Sequence, residues 1–297
     1  MTRTDLVEWA ADALENAGVS FGHGTTEAWD EAAWLVLWRL GLPLDTPLDD
    51  TPVAPEAQAA VRALVAQRIA TRQPAAYLTG EAWLQGLAFH CDPRAIVPRS
   101  LIAELIVSGA LDAWWDGAPQ RILDLCTGGA SLAIHAALRW PQAAVDASDL
   151  STDALAVAGI NVQRYGLAQR LRLLQGDGCA PLQDSYDLVL CNPPYVNARS
   201  MQALPAEYRA EPELALAGGT DGMDFVRRLL RDIPRFMTPA AVLVLEIGHE
   251  RAHFEAAFPR LEALWQDTSA GADQVCVLTH ATLQTLHANA AGHNRAP

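Results

Sequence analysis

The sequence predicts an α/β protein in which a doubly wound sheet of seven strands follows a small helical domain, with a β-hairpin joining the two. Three observations predict it. Beyond residue 100, short apolar runs alternate with helical segments, which is the pattern of a sheet covered on both faces. Residues 4 to about 72 carry helical spacing. From Tyr77 to Arg99 the chain changes to short β-like runs broken by Gly80, Gly86, Pro93 and Pro98.

In order along the chain, 27-EAWDEAAWLVLWRLG-41 places Glu27, Asp30 and Glu31 in its early turns, Arg39 in its last, and Gly41 after it, in agreement with the helix dipole and a glycine cap. Trp34, Leu37, Trp38 and Gly41 fall at helical spacing, as do Val61, Leu64, Val65 and Arg68 in 55-PEAQAAVRALVAQRIA-70. The tryptophans are expected to pack a helical core. Between these helices, 43-PLDTPLDDTPVAP-55 reads as a loop. The helical domain is assigned to residues 1–75, the hairpin linker to 76–99 and the sheet domain to 100–286; the patternless 287–297 is expected to be disordered. Strands are expected at 121–126, 143–148, 170–176, 186–191, 241–248, about 261–266 and 275–280. Helices are expected near 101–113, 130–139, 152–165, 222–236 and 249–257, with Ser151 and Gly166 as caps of the third.

Composition narrows the function. Of 297 residues, 51% are hydrophobic and 19% charged, as in ordinary globular proteins. A net charge of −14 repels a polyphosphate backbone, which argues against DNA or RNA as the main ligand. The N-terminus lacks the basic head and apolar run of a secretory signal, and no apolar stretch reaches about 18 residues, so a cytoplasmic, membrane-free protein is expected. Five cysteines without a CxxC pair suggest neither a disulfide framework nor a zinc knuckle. The oligomeric state is left open.

Two groups of residues carry chemistry. In 121-RILDLCTGGASLAIHAALRW-140 a strand ends in a glycine pair and a helix follows, which lets backbone amides approach a ligand. Asp124, Asp149 and Asp177 stand at the ends of three successive strands, and Asp149 can accept hydrogen bonds from ribose hydroxyls. Such a carboxylate cluster disfavours a diphosphate, and TGGA is not GxGxxG. A cationic nucleoside such as S-adenosylmethionine fits better. The second group ends the fourth strand, 186-YDLVLCNPPYV-196. An amide nitrogen is a poor nucleophile because its lone pair is delocalised. The Asn192 side-chain oxygen and the Pro193 carbonyl can accept both of its N–H bonds, orienting it and stabilising the charge that develops as a methyl group arrives. Pro193 and Pro194 stiffen the backbone, and Tyr195 can lie against a flat substrate group. Asn-Pro-Pro is also an ordinary way to end a strand.

Asp124-Leu125-Cys126-Thr127-Gly128, Asp149 and Asn192-Pro193-Pro194-Tyr195 together resemble the class I S-adenosylmethionine-dependent methyltransferases that modify glutamine side chains, the HemK/PrmC/PrmB family. Residues 72–100 resemble that family's linker, so the likeness spans nearly the whole chain. Within it, 97-VPRSLIAELI-106, 207-EYRAEPELALAGGTDGMD-224 and 275-VCVLT-279 resemble the branch acting on a glutamine of large-subunit ribosomal protein L-three. The branch acting on release factors more often has an acidic PRPDTE-like stretch where Pro98-Arg99-Ser100 stands. The resemblance implies that Asp124, Cys126, Thr127, Gly128, Gly129, Ala130, Asp149, Asp177, Gly178 and Asn192 line the cofactor, and that Asn192, Pro193, Pro194 and Tyr195 hold the glutamine. Since the catalytic half recognises only a flat amide, the helical domain 1–75 is expected to select the protein substrate. The chain departs from the pattern at two places: Ala130 replaces a glycine, and its methyl is expected to crowd the amino-acid end of the cofactor, while Ala270-Gly271-Ala272-Asp273, further from the chemistry, stands where the family is usually richer in glycine.

Competing functions are a release-factor methyltransferase, an adenine methyltransferase acting on nucleic acid, and a non-catalytic ribosome-assembly factor with a blunted cofactor site. The HExxH-like 249-HERAH-253 raises zinc chemistry, but Ala256 and Pro259 stand where the extended signature has a glycine and a third histidine. It is expected to be a solvated helix face, with no metal bound, and His135 is expected to serve packing.

Overall fold

The computed structural model describes residues 1–293. Three helices form the N-terminal part: α1 (Arg3–Asn16), α2 (Ala28–Arg39) and α3 (Pro55–Thr71). Thr2 and Asp5 cap α1 reciprocally, Gly41 takes a left-handed φ of +69° after α2, and Pro55 occupies the first turn of α3, where its missing N–H costs nothing. Trp34 and Leu37 pack in the helical core, but Trp38 is 37% exposed: at the end of α2 the surrounding helices no longer cover so large a ring. Arg68 occupies the apolar face of α3 and is fully buried.

A short helix, α4 (Ala75–Thr79), precedes the hairpin of β1 (Glu81–Leu84) and β2 (Leu87–His90). Tyr77 and Leu78, expected in a β-like run, therefore belong to a helical turn that Gly80 ends at φ +73°. The hairpin and linker serve two cores at once. Ala82, Cys91 and Val97 pack with the helical domain, whereas Leu84 and Phe89 pack under the large sheet.

The sheet domain continues through α5 (Ile102–Ser108), β3 (Arg121–Leu125), α6 (Ser131–Arg139), β4 (Ala144–Asp149), α7 (Thr152–Arg164), β5 (Leu171–Gln175) and β6 (Tyr186–Cys191). Then come α8 (Ala198–Ala203), α9 (Ala206–Arg209), α10 (Asp224–Asp232), β7 (Met237–Glu246), α11 (Arg251–Ala257), β8 (Leu264–Trp265), β9 (Val275–Thr279) and α12 (His280–His293). Ser151 accepts the Ala154 amide at 3.1 Å to start α7, and Gly166 follows its end at φ +66°. Helix α12 runs through 287–293, where disorder was expected, since alanines at 288, 290 and 291 favour helix. Residues 294–297 lie outside the described residues.

The seven strands are ordered β5-β4-β3-β6-β7-β9-β8, and β9 runs antiparallel to both of its neighbours. From β3 the chain moves outward through β4 and β5, then returns to the other side of β3 for β6. That reversal opens a crevice beyond the C-terminal ends of β3 and β6, where ligands bind in such sheets. The strands read as near-continuous apolar runs because two separate cores cover the two faces.

Candidate active site

A cavity of about 900 Å³ occupies this crevice, near the upper end of ordinary ligand pockets and roomy enough for two ligands. On one side is the turn after β3. Cys126, Gly128 and Ala130 adopt left-handed φ values of +57°, +54° and +65°, alternating with residues of ordinary conformation. The turn is braced by Asp124, which is 1% exposed. Its Oδ2 accepts the Thr127 hydroxyl at 2.5 Å and the Ala133 amide at 3.0 Å, and its Oδ1 has no partner. Burial pushes this carboxyl up to about 7 despite those hydrogen bonds. Asp149, ending β4, accepts the Gly128 amide and the Ser151 amide, both at 2.9 Å, and burial raises it too. Asn161 on α7 stitches the turn to the hairpin: its Nδ2 donates to the Gly129 carbonyl at 2.9 Å and the His90 carbonyl at 3.1 Å, and its Oδ1 accepts the His90 amide at 2.7 Å.

Asp124, Cys126, Thr127, Gly128, Gly129, Asp149, Asp177 and Gly178 line the cavity together with Asn192, Pro193, Pro194 and Tyr195. Asp177 is half-exposed and pairs with Arg228 of α10 at 2.7 Å. Ala130 differs. Its side chain is buried in the core under α6, not in the cavity wall, so the expected crowding of a cofactor does not arise. The methyl instead carries the strain of a left-handed residue, about 1 kcal/mol.

Beyond β6, Pro193 is buried, and among the described residues neither the Asn192 side chain nor the Pro193 carbonyl has a hydrogen-bond partner. Both acceptors are therefore unspent. Tyr195 is fixed by three glycines that the sequence did not single out. A Cβ on Gly248 would lie 2.5 Å from the Tyr195 ring, one on Gly218 would lie 2.7 Å from its Cα, and Gly222 lies against its carbonyl. Its hydroxyl donates to Glu246 at 3.4 Å. Glu246, buried at the end of β7, also accepts the Ser100 hydroxyl at 2.5 Å and the Leu101 amide at 2.9 Å, and burial raises its pKa.

The 249–253 motif is dismantled by the same packing. Helix α11 begins only at Arg251, so His249 does not share a helical face with His253. Glu250 spends its carboxylate on the Asn197 side-chain amide at 2.5 Å and on His253. No group of three metal-ligating side chains is assembled among the described residues. His135 is buried, with Nε2 3.1 Å from the Leu84 carbonyl, and does not line the cavity.

Another part of the wall comes from 204–219, and it joins the two domains. Glu207 accepts from Arg72 at 3.3 Å, Arg68 at 3.5 Å and the Ser20 amide at 3.2 Å. Arg68 also pairs with Glu31 at 2.8 Å. Glu211 receives a bidentate pair from Arg99, at 2.6 and 2.7 Å, and the Val97 amide at 2.9 Å, with His23 3.3 Å away. Burial alone would raise the Glu211 pKa, but the Arg99 charge and these hydrogen bonds bring it down to about 2.

This glycine turn and strand order define a methyltransferase of the class I fold. A family model described as "Methyltransferase small domain" matches residues 106–208. The catalytic domain of hMettl16, solved with the MAT2A 3′UTR hairpin 6, shares the fold with a TM-score of 0.51 at 12% identity, over 75% of this chain and 80% of that one. A "Ribosomal protein uL3 glutamine methyltransferase" of Bordetella pertussis is 54% identical over 290 residues, covering 96% of this chain and 97% of the relative. Proteins of the same description from Burkholderia pseudomallei and Neisseria meningitidis serogroup B are 51% and 46% identical, each over 95% of this chain. The chain belongs to the family of ribosomal protein uL3 glutamine methyltransferases.

Proposed function

We propose that the protein transfers a methyl group from S-adenosylmethionine to the side-chain amide nitrogen of a glutamine in ribosomal protein uL3, the L-three of the large subunit. The observation that carries the reading is the pair of unspent acceptors, Asn192 Oδ1 and the Pro193 carbonyl, in one cavity with an acid-braced glycine turn. The substrate's identity is supported by the relatives' shared description.

The turn suits this cofactor. Asp124 Oδ1 is a buried carboxylate oxygen without a partner, suited to a cationic amino group, and Asp149 is an acceptor for ribose hydroxyls. S-adenosylmethionine supplies, when bound, an electrophilic methyl on a positively charged sulfur. The chain's own residues prepare the nucleophile. Asn192 and Pro193 accept the two amide hydrogens and turn the nitrogen lone pair toward the turn after β3. As positive charge grows on that nitrogen, both acceptors interact with it more strongly than with the neutral amide, which lowers the barrier. Tyr195, held against Gly248, covers the flat face of the amide. The extra proton leaves the nitrogen after transfer, so no side chain is required as a base. A ribosomal protein as substrate implies action in the cytoplasm.

Methylation of purified uL3 with labelled cofactor, followed by peptide mass spectrometry, tests the reading. One methyl on one glutamine is the expected result. Label on a peptide-chain release factor and none on uL3 would replace the substrate, and label on neither protein would replace the enzyme with an assembly factor.

A further inference from the structure

The wall segment 204–219 contains a residue that the chemistry above does not use. Tyr208 lines the same cavity as Asn192, on a segment separate from both the glycine turn and the Asn-Pro-Pro-Tyr run, and near enough to Tyr195 to interact with it electrostatically. Its ring lies 4.3 Å from that of His23 in the helical domain, and the Arg99 guanidinium of the linker sits 5.4 Å over it. The Tyr208 hydroxyl packs against Gly22, where any side chain would collide with it. The residues on either side are anchors. Glu207 is driven into Arg68, Arg72 and the Ser20 amide of the helical domain, and Glu211 into Arg99 and the Val97 amide of the linker. Burying two carboxylates and their arginines carries a large desolvation cost, repaid only where geometry is tightly held. What is held here is a half-buried tyrosine facing the cavity, an aromatic with little rotamer entropy to lose and a type enriched where proteins grip one another.

We infer that Tyr208 is a specificity-determining residue that packs on the polypeptide flanking the target glutamine, and that Glu207 and Glu211 are positioning residues that aim it by fastening 206–211 to the helical domain and the linker. This rests on the proposed reading that the substrate is a glutamine within a protein. The helical domain thereby influences which polypeptide is accepted without itself reaching the reacting nitrogen.

Steady-state methylation of purified uL3 by the full chain, combined with calorimetric titration of S-adenosylmethionine and thermal melting, tests the assignment. Tyr208→Ala is expected to raise KM for uL3 about tenfold or more, with the larger part of the loss in KM rather than kcat and with cofactor affinity kept. Tyr208→Phe, which retains the ring, recovers most of the affinity. Glu207→Gln shifts KM in the same direction by a smaller factor, whereas a merely structural role would move Tm, cofactor affinity and kcat together. If Tyr208→Ala melts too low to assay, Tyr208→Leu keeps the bulk and loses the ring. A KM within about twofold of the parent for both the Ala and the Leu variant overturns the inference, as does loss of cofactor affinity in step with KM. A parent enzyme that places no methyl on uL3 overturns this assignment and the proposed substrate together.

Discussion

The glycine turn and the wall of the cavity hold their residues by different means. At the turn, Asp149 reaches the Gly128 amide across 21 residues of chain, and the bracing of Asp124 by Thr127 and Ala133 is closer still. At the wall, Arg99 meets Glu211 across 112 residues and Arg68 meets Glu207 across 139. The turn is a local device of backbone amides, serving a ligand that is the same in every reaction. The wall is assembled from ion pairs between distant segments, and the inference drawn above assigns it to the side of the reaction that differs between substrates.

The sharpest way to separate the two is at the clamp between them. Asn192→Ala is expected to lower kcat by about a thousandfold, as loss of a preorganised transition-state contact does, with cofactor affinity intact by calorimetry. A matching loss of cofactor binding would show that the clamp belongs to the turn. Next in size is Arg99→Ala, which leaves the Glu211 carboxylate buried without its main partner and should cost about 3 kcal/mol in denaturant unfolding. Its pH dependence has a definite sign. Because Glu211 is held at about 2, below its unfolded value, its stabilisation is complete above the ordinary carboxylate range and is lost only as pH falls toward 2. In Arg99→Ala the charge that holds Glu211 down is gone, so this pH-dependent contribution should shrink and the fall in stability toward pH 2 should flatten.

At the turn, Asp149→Ala should weaken S-adenosylmethionine roughly ten- to a hundredfold, the worth of hydrogen bonds to a charged acceptor, and leave KM for uL3 little changed. Asp124 gives a smaller, pH-dependent effect. Burial pushes its carboxyl up to about 7, and a cationic ligand prefers the ionised form, so affinity should rise with pH up to about 7. Calorimetry across that range should show the slope in the parent and none in Asp124→Asn. Least of all, Ala130→Gly should change stability by under about 1 kcal/mol, since relief of the left-handed strain is set against loss of one buried methyl. A large gain in cofactor affinity from that change would contradict the placement of Ala130 in the core.

Legibility in the sequence follows the same division. Strand-to-turn transitions at Cys126 and Asn192 are encoded by contiguous residues, so apolar runs ending in glycine or proline located them and the sheet around them. Ala130 was misjudged because spacing gives position along the turn but not which way a left-handed residue points its methyl. Arg68 was visible as a charge on an apolar helical face, which demands a buried partner, but nothing in the sequence names Glu31 or Glu207 as that partner. Glu246 and Gly248 end a strand that reads as ordinary core. The approach of Tyr195 and of Ser100 and Leu101 from other segments gives them meaning.

The anchoring of 206–211 bears on how the molecule can be taken apart. A swap of N-terminal domains between relatives, cut at the linker, would carry Arg68, Arg72 and His23 away from the carboxylates they meet. On the inference drawn above, a transplant that keeps its selectivity brings along a short piece of its own donor's other half, residues 205–212. The selective unit in that inference is discontinuous in the sequence.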